Sequence, residues 1–258
     1  MPPPVLCLSG LDPSGGAGLS ADIETCRALD THALPVATAL TVQDSRNAVR
    51  AVPVATALLA AQLERLLADV CPAAVKIGLL GSLSQVKLIS GCLRRLSVPV
   101  VLDPVLRAGG GGWLVSPVLA RALCEKLLSQ VTMATPNAAE ARALAGCKGL
   151  DLAAQRLLAF GCANVLITGG DEPGEQVVNR WYRNGVAPRH YASPRLAGGF
   201  HGAGCTLAAA LAARLAHGDQ PAQALAAAQR YTYRALQGAY ALGGGRRIPC
   251  RRRFGTRP

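Results

Sequence analysis

Aromatic side chains are scarce. Two tryptophans, five tyrosines and three phenylalanines make up 4% of the 258 residues. So small a share leaves little base-stacking surface, and the formal net charge of +12 does not by itself indicate a nucleic-acid binder. The charge is also uneven. Arg246, Arg247, Arg251, Arg252, Arg253 and Arg257 fall in the last thirteen residues, which contain no acid, and these six supply half of the excess. A single domain over 1–245 followed by a solvated basic tail over 246–258 is the expectation. The milder basicity of the body suits a phosphorylated ligand.

Other absences narrow the field. No apolar run is long enough to span a bilayer. The opening Met-Pro-Pro-Pro-Val-Leu-Cys lacks the basic and long apolar regions of a signal peptide, so a cytoplasmic location is expected, with neither membrane nor nucleic acid as partner. There are nine cysteines, but no Cys-x-x-Cys and no His pair at zinc spacing. Most sit in apolar settings such as "VLCLSG" and "GCANVLIT", where a reduced thiol is a small core side chain. Neither Gly-x-Gly-x-x-Gly nor the Walker pattern occurs at the glycine-rich turns discussed below.

What remains is an alternation of short apolar runs with longer helical patterns. Val5–Ser9, Val36–Thr41, Ala74–Ile77, Val98–Leu102, Val131–Ala134 and Val165–Thr168 read as buried strands. Helices are predicted near Gly18–Ala28, Ala55–Asp69, Ser82–Leu96, Ser116–Ser129, Ala138–Ala145 and Leu152–Phe160. Continuously apolar strands alternating with helices imply an α/β fold, a parallel sheet covered on both faces. After Gly170 the rhythm changes. Val177–Arg183 and Arg189–Ala192 suggest an antiparallel pair, and helices over Gly204–Ala216 and Pro221–Tyr240 close the chain. The small β-element is also the candidate surface for a homodimer.

In such sheets ligands collect beyond the carboxyl ends of the strands. There the sequence places "GLDPSGGAG", "TVQDS", "LDPV" and "TPNAAEA". The first is a strand-to-helix turn whose glycines let backbone amides approach a ligand, or equally a tight turn capped by Asp12 or Ser14. Asp103 and Glu140 end neighbouring strands and can hold a hydrated magnesium ion (Mg2+), although Glu140 also fits a helix cap at the third position after Asn137. In "HGAGC", Gly202 and Gly204 expose amides at the start of a helix, which makes an anion hole. A thiol placed there, Cys205, is expected to have its pKa lowered toward the thiolate; the alternative is a plain buried cysteine.

These motifs in this order resemble the ribokinase-like superfamily, and within it the hydroxymethylpyrimidine/phosphomethylpyrimidine kinases. The resemblance runs through "GLDPSGGAGLSAD", "TALTVQD", "VKIGLLGS", "VLDPV", "TPNAAEA", "VLITGG", "HGAGCTLAAALAA" and "IPCRRRF". It implies a mostly parallel central sheet with helices on both faces and a small β-element. It also implies ATP-dependent phosphorylation of an aminopyrimidine alcohol and then of its monophosphate. Gln43 would hydrogen-bond the aminopyrimidine, with Gly10 and Ala17 closing over the ring, Leu79 and Val105 giving apolar contacts, and Asp12 and Asp22 lining the same end. Asp103 and Glu140 would hold Mg2+, and Asn137, Thr168, Gly170 and His201 would face the nucleotide. The amides of Gly202, Ala203, Gly204 and Cys205 would hold the charge of the moving phosphoryl group. Cys205 stands where other superfamily members carry an aspartate general base.

The sequence departs from the family at three places. A lysine-bearing run after "DPV" is replaced by "LRAGGGGWL", where Arg107 or a glycine lid over Gly109–Gly112 would have to substitute. A Lys-Gly-Gly-His run is replaced by "TGGD" at Thr168–Asp171, and Asp44 stands where Asn is frequent. Two rival readings follow: a pyridoxal kinase with the same "GAGC" site, or a non-catalytic pyrimidine-binding protein.

Overall fold

A computed structural model describes residues 1–107 and 112–254, so most of the glycine run after Arg107 and the last four residues lie outside it. The chain runs β1 (Pro4–Leu11), α1 (Gly18–Ala28), β2 (His32–Gln43), β3 (Ala48–Pro53), α2 (Thr56–Asp69), β4 (Ala74–Ile77), α3 (Leu83–Leu93) and β5 (Val100–Leu102). It continues with α4 (Pro117–Leu127), β6 (Met133–Ala134), α5 (Ala138–Ala145), α6 (Leu150–Ala159) and β7 (Val165–Ile167). The antiparallel β8 (Gln176–Arg183) and β9 (Val186–Pro194) and the helices α7 (Ala203–Ala216) and α8 (Pro221–Gln237) follow. All strands join one sheet in the order β3-β2-β1-β4-β5-β6-β7-β8-β9. The six strands from β2 to β7 in that row are mutually parallel, and antiparallel strands close both edges. This is the α/β architecture, a mostly parallel central sheet with a small β-element, that the sequence resemblance implies.

The period of two along β1 shows why both faces are covered. Leu6 and Leu8 point into a core with Leu59 and Leu63 of α2, Val86 and Ile89 of α3 and Leu157 of α6. Val5 and Cys7 point the other way, into a core with Leu19 and Cys26 of α1, Leu207 and Leu211 of α7, and Leu225 of α8. Helices begin where the sequence offers caps: the Ser82 hydroxyl accepts from Gln85 N, and the Ser116 hydroxyl accepts from Leu119 N.

One strand, β3, was not anticipated from sequence, and one expectation needs correction. Strand β3 is an edge strand in which Val49, Arg50, Val52 and Pro53 all face solvent, and Arg50 breaks the apolar run that marks the central strands. The basic tail is not simply solvated. Residues 246–254 fold back: His201 N donates to Arg247 O at 2.9 Å, Ile248 and Tyr240 exchange backbone hydrogen bonds of 2.8 and 3.0 Å, and Ile248 and Arg251 are buried. The apolar Ile248-Pro249-Cys250 between the arginines draws the segment inward.

Candidate active site

The ends of the parallel strands and the start of α7 enclose a cavity of about 910 Å³. Its first wall is the loop after β1. Asp12 organises that loop: its Oδ1 accepts from Ser14 N at 2.8 Å, its Oδ2 accepts from Ala17 N at 2.8 Å, and His201 Nε2 lies 2.8 Å from Oδ2. Burial alone would raise this carboxyl, but hydrogen bonds from His201 and Ser14 outweigh it and bring the pKa down to about 2. Asp12 therefore lines the cavity as an ion and also fulfils the turn-forming role that the sequence left open. Gly10, Ala17, Gln43, Leu79 and Val105 line the same cavity.

Asp22 does not. It is inaccessible and lies beneath the wall, paired with an equally inaccessible Lys76 at 2.9 Å. Lys76 Nζ also donates to Ser9 Oγ at 2.8 Å. Asp22 is the one expected ligand-side residue that the fold removes from the site. It lies three residues after Leu19 and four before Cys26, on the helix face that packs into the core.

A second wall carries the carboxylates. Asp103 ends β5 and is buried; Glu140 lies in the first turn of α5. Both readings of Glu140 hold together. Asn137 N donates to Glu140 Oε2 at 3.0 Å and Glu140 N donates to Asn137 Oδ1 at 2.8 Å, a capping box, while Oε1 accepts from Leu106 N at 3.2 Å. Burial pushes Asp103 up to about 6 against the pull of Lys76. Burial, with Asp103 close by, pushes Glu140 up to about 8. Among the described residues no three His, Cys, Asp or Glu side chains are grouped to cage a metal. Mg2+ needs no such cage, because it keeps several waters and takes only one or two carboxylates. Two buried carboxylates lining one cavity, each pushed up by burial, fit a hydrated cation. Asp171, one of the departures from the family pattern, accepts from Ala138 N and Ala139 N at 3.2 and 2.8 Å. It caps α5 from outside.

The third wall is the start of α7. Gly202, Ala203, Gly204 and Cys205 all line the cavity, as do Asn137, Thr168, Gly170 and His201. Gly202 has φ +78°, and a side chain there would strike the Gly16 carbonyl, so only glycine fits. The expectation of a lowered thiol at Cys205 is not met. Burial is the largest effect, Asp103 and Asp22 add to it, and the thiol is pushed up to about 12 in spite of Lys76. Desolvation outweighs the helix start, so the thiol is neutral.

Sequence reasoning also missed the α8 side of the cavity. Arg230, Tyr233, Arg234 and Gln237 line it at helical spacing, a polar stripe legible in principle from its i, i+3, i+4, i+7 pattern. Arg107 is turned against Trp113, with its guanidinium 4.0 Å from the ring centroid. The expected glycine lid lies largely outside the described residues.

Comparison with known proteins agrees with this geometry. The family model for phosphomethylpyrimidine kinase matches residues 12–250. A hydroxymethylpyrimidine/phosphomethylpyrimidine kinase of Streptomyces coelicolor is 36% identical over 250 residues, covering 95% of this chain and 92% of that protein. Another, of Rhizobium meliloti, is 34% identical over 240 residues, covering 91% and 90%. Among solved structures, an ADP complex of Bacillus subtilis pyridoxal kinase superposes with a TM-score of 0.87 at 30% identity, covering 96% of this chain and 97% of that one. A Clostridium difficile phosphomethylpyrimidine kinase gives 0.78 at 28% identity, covering 91% and 99%. With the match spanning nearly the whole sequence and the cavity intact, the chain belongs to the phosphomethylpyrimidine kinase family.

Proposed function

We propose that this protein, acting as one kinase domain, transfers the γ-phosphoryl group of ATP to the hydroxymethyl oxygen of 4-amino-5-hydroxymethyl-2-methylpyrimidine, and then phosphorylates the monophosphate, in thiamine biosynthesis. The observation that carries this reading is one cavity lined at once by Gln43, by the Asp103–Glu140 pair and by the glycine-flanked start of α7. Gln43 pairs with the amino group and a ring nitrogen, since an amide donates and accepts together. Gly10 and Ala17 close over the ring without bulk, and Leu79 and Val105 pack on it.

Phosphoryl transfer passes through a loose transition state, so positioning and charge stabilisation supply most of the catalysis. The amides of Gly202 to Cys205, at the positive end of α7, hold the equatorial oxygens of the moving group. Asn137, Thr168, Gly170 and His201 face the nucleotide. Asp103 and Glu140 would hold Mg2+, which when bound neutralises charge on the phosphates. Cys205 takes part as a neutral thiol that keeps the acceptor hydroxyl in line. The hydroxyl proton leaves late, once bonding to phosphorus has made it acidic, and passes to an oxygen of the transferred phosphoryl group as the bond to ADP breaks, so a preformed thiolate is not required.

The similarity to pyridoxal kinases motivates a second reading, phosphorylation of pyridoxal at the same site. Gln43 favours the aminopyrimidine. Calorimetric titration of hydroxymethylpyrimidine into wild type and Gln43→Leu tests the assignment. Binding is expected to weaken about tenfold or more in the variant, the cost of leaving polar ring groups unpaired. Unchanged affinity would contradict the role of Gln43.

A further inference from the structure

Arg251 belongs to the basic run that charge counting assigns to solvent, yet it is buried. Its guanidinium joins the C-terminal segment to two distant stretches, the loop-helix stretch from Gly16 to Glu24 and the first turn of α7. Nε donates to Thr206 Oγ1 at 2.8 Å, Nη1 donates to Glu24 Oε2 at 3.0 Å, and Nη2 donates to the Gly16 carbonyl. The Thr206 hydroxyl in turn donates to the Gly202 carbonyl at 2.8 Å. One side chain thus grips the glycine loop after β1 directly, and the first turn of α7 through Thr206. Gly202 is bare on the side facing this junction, because a Cβ there would meet both the Gly16 carbonyl and Arg251 Nη2.

We propose that Arg251 is a positioning residue for phosphoryl transfer: the C-terminal segment supplies a guanidinium that locks the Gly15–Gly18 loop against the start of α7 and so fixes the aim of the anion-holding amides. The inference rests on the kinase reading above. A guanidinium suits the task because its planar fork donates in several directions at once, whereas a lysine ammonium is a single point charge. Glu24 holds the plane of the fork from α1. The loop and the start of α7 belong to separate chain segments, so their relative placement depends on ties of this kind, and a shift on the order of 1 Å in such a site costs about a hundredfold in rate.

The test compares wild type, Arg251→Lys and Arg251→Ala in three measurements: thermal unfolding, amide hydrogen exchange over residues 10–18 and 202–206, and ADP release with hydroxymethylpyrimidine. Both variants are expected to fold. Exchange in both segments rises, kcat falls about tenfold or more, and a low, non-denaturing concentration of guanidinium ion restores part of the Arg251→Ala loss. A folded Arg251→Ala or Arg251→Lys with wild-type kcat and unchanged exchange would overturn the proposal. So would a lower melting temperature with kcat per folded molecule unchanged. If Arg251→Ala does not fold, the same readouts on Arg251→Lys decide. Wild type that releases no ADP would sink the kinase reading instead, and the exchange data alone would then judge Arg251.

Discussion

Lys76 Nζ stands 2.9 Å from Asp22 Oδ1 beneath the cavity floor, and neither side chain reaches solvent. Burial by itself would lower the lysine; the charge of Asp22 and its hydrogen bond, with the charge of Asp103, outweigh it and hold the ammonium above its ordinary value. The ammonium therefore stays charged beside Asp22. Breaking a buried pair from one side leaves an uncompensated charge, so Lys76→Met is expected to destabilise the fold by about 3–5 kcal/mol. Adding Asp22→Asn removes the orphaned carboxylate and should return most of that loss. Urea unfolding of the two variants checks this, and equal stability of the single and double variants would show that the residues are not coupled.

Asp12 gives the fold an acid limb. Its carboxyl is depressed to about 2 in the folded protein, so its stabilisation is fully present above the unfolded value near 4 and is lost as pH falls from there toward 2. Asp12→Asn is expected to cost about 2 kcal/mol at neutral pH. The gap from wild type should narrow as pH falls through that window. Unfolding midpoints at pH 7, 4 and 3 measure it. A gap that stays constant across the three would mean that the hydrogen bonds from Ser14 and His201 do not favour the ionised form.

Cys205 should be slow to react despite lining the cavity. With the thiol near 12 the thiolate is a small minority at pH 8. Iodoacetamide is expected to label the exposed Cys71 well before Cys205, as peptide mass spectrometry would record. Cys205→Ser should still bind the pyrimidine but lose most turnover, because the hydroxyl is shorter and places the acceptor differently. Turnover near wild type in that variant would remove Cys205 from the site chemistry.

The sequence announced its central strands because burial on both faces forces unbroken apolar runs such as Val5–Ser9 and Val165–Ile167. It announced α1 and α5 to the residue, where glycine or a capping box marks the boundary. The loops that converge on the cavity were legible for the same reason: glycine and carboxylates at strand ends have few structural uses. Edge strand β3 was not, since most of it faces water. Asp22 was misplaced because a local motif carries no information about Lys76, its partner 54 residues away. The lysine within the buried "AVKI" strand was nonetheless a signal that an acid must lie nearby. Cys205 was misjudged on electrostatics: the helix start is visible in sequence, the desolvation imposed by the groups packed around the thiol is not. Arg251 was lost in a charge count for the same reason.

The most direct measurement is steady-state ADP release from ATP with hydroxymethylpyrimidine, its monophosphate and pyridoxal compared side by side. Release that depends on the pyrimidine alcohol, with kcat/KM above that for pyridoxal and with turnover of the monophosphate as well, is the expected result. Release independent of either pyrimidine, or a higher kcat/KM for pyridoxal, would contradict it.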